Sequence, residues 1–160
     1  RPFVIGDYII ENSGNQEGTV VKIDLFYTTL STVDNRRITV PNGALTNSSI
    51  VNVTAKDNRK LEIKVGISYQ ADLKKAKKIL ETLLHEDASI MSDQEMQVFV
   101  DQLAADSVVL GLRAWVKTEE YWATKWRLNE KIKLTFDEQG IEIPFPQLDV
   151  HIKDYAEKTL

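Results

Sequence analysis

Residues 61–86, LEIKVGISYQADLKKAKKILETLLHE, hold the change of periodicity on which the fold turns. Leu61, Ile63, Val65 and Ile67 alternate with Glu62, Lys64 and Gly66, the period-two pattern of a strand with one buried face, ending near Tyr69. Asp72 then offers an N-cap, after which Leu73, Ala76, Ile79, Leu80, Leu83 and Leu84 recur at helical spacing. Downstream, Met96 to Leu103 and Ser107 to Val116 read as two strands joined through Ala104, Ala105 and Asp106. A second helix from about Glu119 to Glu138 places Tyr121, Leu128, Ile132 and Phe136 on one face and Trp122 and Trp126 at its edge, with Gly140 stopping it. Strand, helix, strand, strand, helix, short strand is the split βαβ order of a ferredoxin-like α/β sandwich.

Upstream the grammar is all-β. Tyr8–Glu11 reads as one strand, closed by Asn12, Ser13 and Gly14, and Thr19–Phe26 as a longer, bent one. Thr29–Val33 and Arg36–Val40 flank Asp34-Asn35, expected to be a two-residue type I′ hairpin loop. Pro41 closes that strand because it has no N–H for a ladder, and Asn42-Gly43 leads into a short helical stretch before a strand at Ile50–Val53. Five short strands in so few residues predict a small, closed or nearly closed barrel. After the α/β region, Pro144-Phe145-Pro146 forces a stiff, extended linker. Leu148, Val150 and Ile152 then alternate with Asp149, His151 and Lys153 as a lone strand with no sequence-local partner, which must join the preceding sheet or pair with copies of itself. The expected organisation is therefore a β domain over 1–59, an α/β domain over 60–143, and a linker with a C-terminal strand over 144–160.

Composition bounds the function. The 160 residues are 42% hydrophobic and 28% charged, which is the globular range, and a chain of this size buries roughly 70% of its extended surface. The longest apolar run, Val108 to Leu112, has five residues, where a membrane-spanning helix needs about 20. There are no cysteines, so disulfides and thiolate sites are excluded. The formal net charge is −4, and none of the segments 1–59, 60–147 and 148–160 is net basic, which argues against a nucleic-acid partner.

Chemistry-bearing motifs are sparse. The glycines at 6, 14, 18, 43, 66, 111 and 140 fit neither a Rossmann fingerprint nor a P-loop. Gly66-Ile67-Ser68-Tyr69 lacks the second glycine of a nucleophile elbow. His85 and His151 lie in different elements, so no metal site is expected, and no cofactor or catalytic group either. His85-Glu86-Asp87 reads as a polar helix end. The lysines of Leu73–Ile79 read as the wet face of a sandwich helix, and Trp115, Trp122 and Trp126 as core or subunit-interface residues rather than a stacking pocket.

Taken in order, Arg1-Pro2-Phe3 with Gly6-Asp7-Tyr8-Ile9, Thr28-Thr29-Leu30, Asp34-Asn35, Val40-Pro41-Asn42-Gly43, Gly66-Ile67-Ser68-Tyr69, Gly140-Ile141 and Ile143-Pro144-Phe145-Pro146-Gln147 resemble the cytoplasmic region of the small-conductance mechanosensitive channels. The resemblance spans essentially the whole chain. It implies an Sm-like β domain, an α/β domain and a C-terminal strand that closes a parallel barrel with its symmetry mates at the base of a heptameric vestibule. It implies a pore helix running into Arg1, Pro2 and Phe3, where Pro2 disfavours helical geometry at Arg1. The chain is then expected to be the water-soluble part of a membrane protein, cut where its last transmembrane helix ends, on the cytoplasmic side of the cell's inner membrane. Pro41, Asn42 and Gly43 become the family's signature turn. Pro144 and Pro146 become the linker, and Leu148, Val150 and Ile152 the apolar face of the oligomerising strand. The implied function is non-enzymatic: a tension-gated channel whose cage filters inorganic ions and small solutes during osmotic release. Alternatives that stay open at this point are an RNA-binding protein, which needs exposed aromatics and a positive face around Met96–Val116, and a small-molecule sensor built on the α/β domain.

Overall fold

The computed structural model describes residues 1–154, and the chain divides into two compact units: residues 1–59 with 116–121, and residues 60–115 with 122 onward. In the first unit, β1 (Tyr8–Glu11), β2 (Gln16–Ile23), β3 (Tyr27–Ser31), β4 (Arg37–Pro41), α1 (Asn42–Asn47) and β5 (Ile50–Asn52) follow one another. The strands form one antiparallel sheet in the order β4-β3-β2-β1-β5. Ile9, Val20, Leu30, Val40 and Leu45 are buried together, with Phe3, Ile38 and Ile50 packed against them. The expected closure into a barrel is not made by the described strands, because β4 and β5 stand at the sheet's two edges without a ladder between them.

Two local expectations are corrected in this unit. The strand read over Thr19–Phe26 stops at Ile23, since the Asp24 amide donates to the Tyr27 carbonyl at 2.8 Å and turns the chain. Leu25 and Phe26 kept the apolar pattern alive in the sequence but are 83% and 72% exposed at that turn. The pairing of β2 with β3 shifts register between Val20 and Lys22, the kind of irregularity that kinks a strand locally. The hairpin after β3 is not a two-residue type I′ loop. Ser31 pairs with Arg37, the Thr32 amide donates to the Arg36 carbonyl, and the loop is Val33-Asp34-Asn35. Asn35 alone takes positive φ (63°), as in three-residue loops that add a left-handed residue to a type I turn. Asp34 is held out of that region by accepting from Thr32 Oγ1 at 2.6 Å and Arg36 Nε at 2.8 Å.

The remaining elements are β6 (Asn58–Ile67), α2 (Leu73–Glu86), β7 (Gln97–Leu103), β8 (Val108–Lys117), a 3₁₀ turn over Thr118–Glu120 and α3 (Tyr121–Gln139). Their sheet runs β6-β8-β7. Asp72 does cap α2, its Oδ1 accepting from the Lys75 amide at 3.1 Å, and Ala76, Leu80, Leu83 and Leu84 are buried along that helix. Leu128, Ile132 and Phe136 are buried on α3, joined by Thr124, while Tyr121 is only half-buried. Gly140 follows α3 at φ +74°, and the Ile141 amide returns to the Phe136 carbonyl at 2.8 Å. That backbone geometry is nearly strain-free only for glycine. The short strand expected after α3 is reduced to one ladder-like bond, Ser68 N–H to the Glu142 carbonyl at 2.9 Å, with Pro144 cutting it short.

Candidate functional site

Arg1, Pro2 and Phe3 line an open cavity of about 610 Å³ together with residues that include Thr28, Asn42 and Leu45. Arg1-Pro2-Phe3 and Asn42, far apart in the sequence, thus line one hollow. Pro41 ends β4 and precedes α1, which starts at Asn42 and contains Gly43. Asn42 is the hub. Its backbone amide donates to the Phe26 carbonyl at 2.8 Å, its Nδ2 donates to the carbonyls of Asp24 (2.9 Å) and Leu25 (3.0 Å), and its Oδ1 accepts from Thr28 Oγ1 at 2.8 Å. Thr28 is buried, so its hydroxyl depends on that partner. Asn42→Ala is expected to lower the stability of the β unit by about 2 kcal/mol, the scale of losing buried hydrogen-bond partners, as a drop in the urea midpoint at unchanged slope.

The leading segment is tied down by side chains that the sequence pattern did not single out. Asp7 Oδ2 accepts from the Val4 amide at 2.8 Å and from Asn52 Nδ2 at 2.9 Å, and Asn52 Nδ2 also donates to the Pro2 carbonyl at 3.1 Å. Thr54 Oγ1 donates to Asp7 Oδ1 at 3.2 Å and accepts from the Tyr8 amide at 3.0 Å. The Val4 amide and then Asn52 hold the Asp7 carboxyl below its ordinary value. Glu11 does similar work at the first turn. Its buried carboxylate accepts from the Gly14 (2.6 Å) and Ser13 (2.7 Å) amides, which lower its pKa. Asp7 stands in the Gly6-Asp7-Tyr8-Ile9 motif and Asn52 and Thr54 stand outside the motifs, so nothing in the sequence marked the three as a group.

In the second unit the polar helix end His85-Glu86-Asp87 contains a buried anion. Asp87 Oδ2 accepts from Arg127 Nε at 2.8 Å and Oδ1 from Arg127 Nη2 at 2.7 Å, a fork that pins the end of α2 to α3. The Ser89 amide adds a third bond at 3.0 Å. Arg127 first, and then the Ser89 amide, pull the Asp87 pKa down against burial. Trp122 and Trp126 stand exposed with ring centroids 6.0 Å apart, so these two are not core residues of the single chain.

The RNA reading needs an aromatic platform under a positive field on β7 and β8. Instead, Phe99 is half-buried beneath the Arg113 guanidinium, 4.8 Å from its ring centroid, and Arg113 is paired with Glu62 at 2.6 Å. Lys64 bridges Glu62 (3.6 Å) and Asp101 (3.4 Å) beside them. The charges on that face are spent on one another. Residues 144–154 form neither helix nor strand in the single chain, and Leu148, Val150 and Ile152 are 85%, 68% and 87% exposed. Gln147 anchors the start of this stretch through its amide to Asp106 Oδ1 at 3.3 Å. Residues 155–160 of the expected C-terminal segment lie outside the described residues.

Among the described residues no helix is long and apolar enough to cross a membrane, and no three potential metal ligands cluster. Two family descriptions match in the order of the units: "Mechanosensitive ion channel, beta-domain" over residues 1–55 and "Mechanosensitive ion channel MscS, C-terminal" over residues 61–143. The class is therefore a channel β domain followed by a channel α/β domain. The chain belongs to the MscS family, a family of ion channels and not of enzymes. It is 36% identical over 152 residues to the small-conductance mechanosensitive channel of Edwardsiella ictaluri, covering 95% of this chain and 52% of that protein. It is 33% identical over 157 residues to the small-conductance mechanosensitive channel of Helicobacter pylori, covering 96% and 56%. The crystal structure of Helicobacter pylori MscS in its closed state superposes with a TM-score of 0.88 at 31% identity, covering 97% of this chain and 61% of that one. The chain spans about half the length of the curated relatives it matches.

Proposed function

We propose that this chain is the cytoplasmic part of a tension-gated ion channel in the inner membrane, and that it assembles as a homoheptamer. The observation that carries the reading is the match of both units, in order, to the family's β-domain and C-terminal regions. In this reading the first unit is Sm-like and receives the pore helix at Arg1, Pro2 and Phe3, and Pro41, Asn42 and Gly43 are the signature turn, whose Asn42 lines the same cavity as those three residues. The second unit, read as ferredoxin-like, builds the wall of a vestibule that filters ions and small solutes released on osmotic downshock. Expression of the full-length protein in a bacterial strain stripped of its own tension-gated channels is the test. Survival of downshock and pressure-activated currents in patches are expected, and their absence overturns the reading.

Pro144 and Pro146 hold the linker extended, and Leu148, Val150 and Ile152 offer a period-two apolar face to identical strands around a symmetry axis. Support comes from the exposure of all three in the single chain, where residues 144–154 form no strand among the described residues. Deletion of everything after Pro146 is expected to weaken assembly while both units stay folded. The oligomer mass of the truncated full-length protein in detergent, measured against the intact one, reads this directly.

A further inference from the structure

The leading segment, residues 1–6, is weakly held by packing. Arg1, Val4, Ile5 and Gly6 are exposed, and Phe3 is the one apolar side chain packed on the core. Its own backbone adds the Gly6 amide to the Val20 carbonyl at 2.8 Å and a turn from Val4 to Asp7 at 3.1 Å. Yet the backbone at positions 2, 4 and 8 is gripped by three side chains, two of which lie 45 to 50 residues further along. Asn52 is the last residue of β5 and Thr54 follows closely, so the grip joins the segment to the strand that pairs with β1. A pull along the chain at Arg1 would peel residues 1–6 away if packing alone held them. With the side chains in place, the load passes from the Pro2 carbonyl through Asn52 into β5, and from the Val4 amide through Asp7 into β1.

We propose that Asp7, Asn52 and Thr54 form a mechanical clamp that delivers displacement of an upstream helix to the β sheet, which makes them positioning residues for gating. The inference rests on the channel reading above. Each bond to the Asp7 carboxylate is charge-assisted, and such bonds are the stronger class. The clamp is also cooperative in construction: Asn52 Nδ2 serves the Asp7 carboxylate and the Pro2 carbonyl at once, so removing Asn52 releases two positions.

The experiment uses the full-length channel in membrane patches, with Asp7→Ala, Asn52→Ala, Thr54→Val and Thr54→Ser. The first three are expected to change the open-to-closed ratio at fixed tension by about tenfold, the worth of one such hydrogen bond, and so to shift the pressure-activation curve with unitary conductance unchanged. Thr54→Ser keeps the hydroxyl and is expected to gate like wild type. A double Asp7→Ala, Asn52→Ala channel is expected to shift further than either single variant but by less than their sum, because the two residues share one bond while Asp7 alone holds the Val4 amide and Asn52 alone the Pro2 carbonyl. A purely structural role would lower the melting temperature in detergent and leave the activation curve in place, and that result overturns the proposal. Thr54→Val deletes a single hydroxyl, and its wild-type curve would overturn the clamp even if Asn52→Ala did not assemble. Wild-type protein without pressure-activated current would instead sink the channel reading on which the clamp depends.

Discussion

Arg127→Met is expected to destabilise the α/β unit by about 3–5 kcal/mol, the cost of removing one partner of a buried ion pair. Asp87 has a side chain only 1% exposed, and without the guanidinium fork its negative charge is left with the Ser89 amide and the weaker field of Lys131. The reciprocal change is milder, because the Arg127 side chain is 37% exposed and water can take over its charge. Acid adds a second signature. The folded-state pKa of Asp87 lies below its unfolded value, so its contribution is complete above the ordinary carboxylate range and is lost as pH falls through the depressed folded value. Urea midpoints of wild type should therefore decline below about pH 4, and Arg127→Met should flatten that part of the decline. Equal midpoints for the two proteins at pH 7 would contradict the assignment.

Gly18→Ala is expected to cost the β unit about 3 kcal/mol, at the upper end for overpacking a filled interior. Gly18 is buried opposite Ile9, and a Cβ there would stand 2.6 Å from the Ser31 carbonyl oxygen and 3.2 Å from the Leu30 Cβ. The obstruction is backbone, which cannot swing aside as a side-chain tip can. The β2–β3 ladder must open locally, and it carries the buried Val20–Leu30 pair. The loss should appear as a lower thermal midpoint for the β unit. Gly43→Ala makes the control, since a Cβ at Gly43 meets nothing within 4 Å.

Much of the fold was legible because helix and strand signals are local. The helix beginning after Asp72 was read from its cap and apolar spacing, and the end of α3 from Gly140; both stand in the structure. Where local signals misled, a tertiary cause can be named. Leu25 and Phe26 continue a strand-like apolar pattern, yet Asn42, far along the chain, takes the carbonyls of residues 24–26 and holds a turn there. Asp34-Asn35 has the composition of a two-residue loop, but Thr32 and Arg36 pair across it and engage the Asp34 carboxylate, so the loop widens by one. The site was legible only in part. Pro41, Asn42 and Gly43 stood out as a motif, and Asp7 stood in another, Gly6-Asp7-Tyr8-Ile9, but neither motif told which distant residues its side chains would meet.

Local sequence set the order of elements, their periods and most of their stops, because these depend on residues within a turn or two of one another; the stop of β2 at Ile23, where Asn42 holds the turn, is an exception. It also determined family membership, through short motifs whose spacing survives along the chain. Three-dimensional packing set the rest: that Arg1-Pro2-Phe3 and Asn42 share one cavity, that Asp7, Asn52 and Thr54 grip the leading segment, and that Arg127 neutralises a buried Asp87. Those are contacts between residues roughly 40 to 50 positions apart. Their partners are chosen by which faces the packed sheets and helices bring together, and periodicity carries no record of that choice.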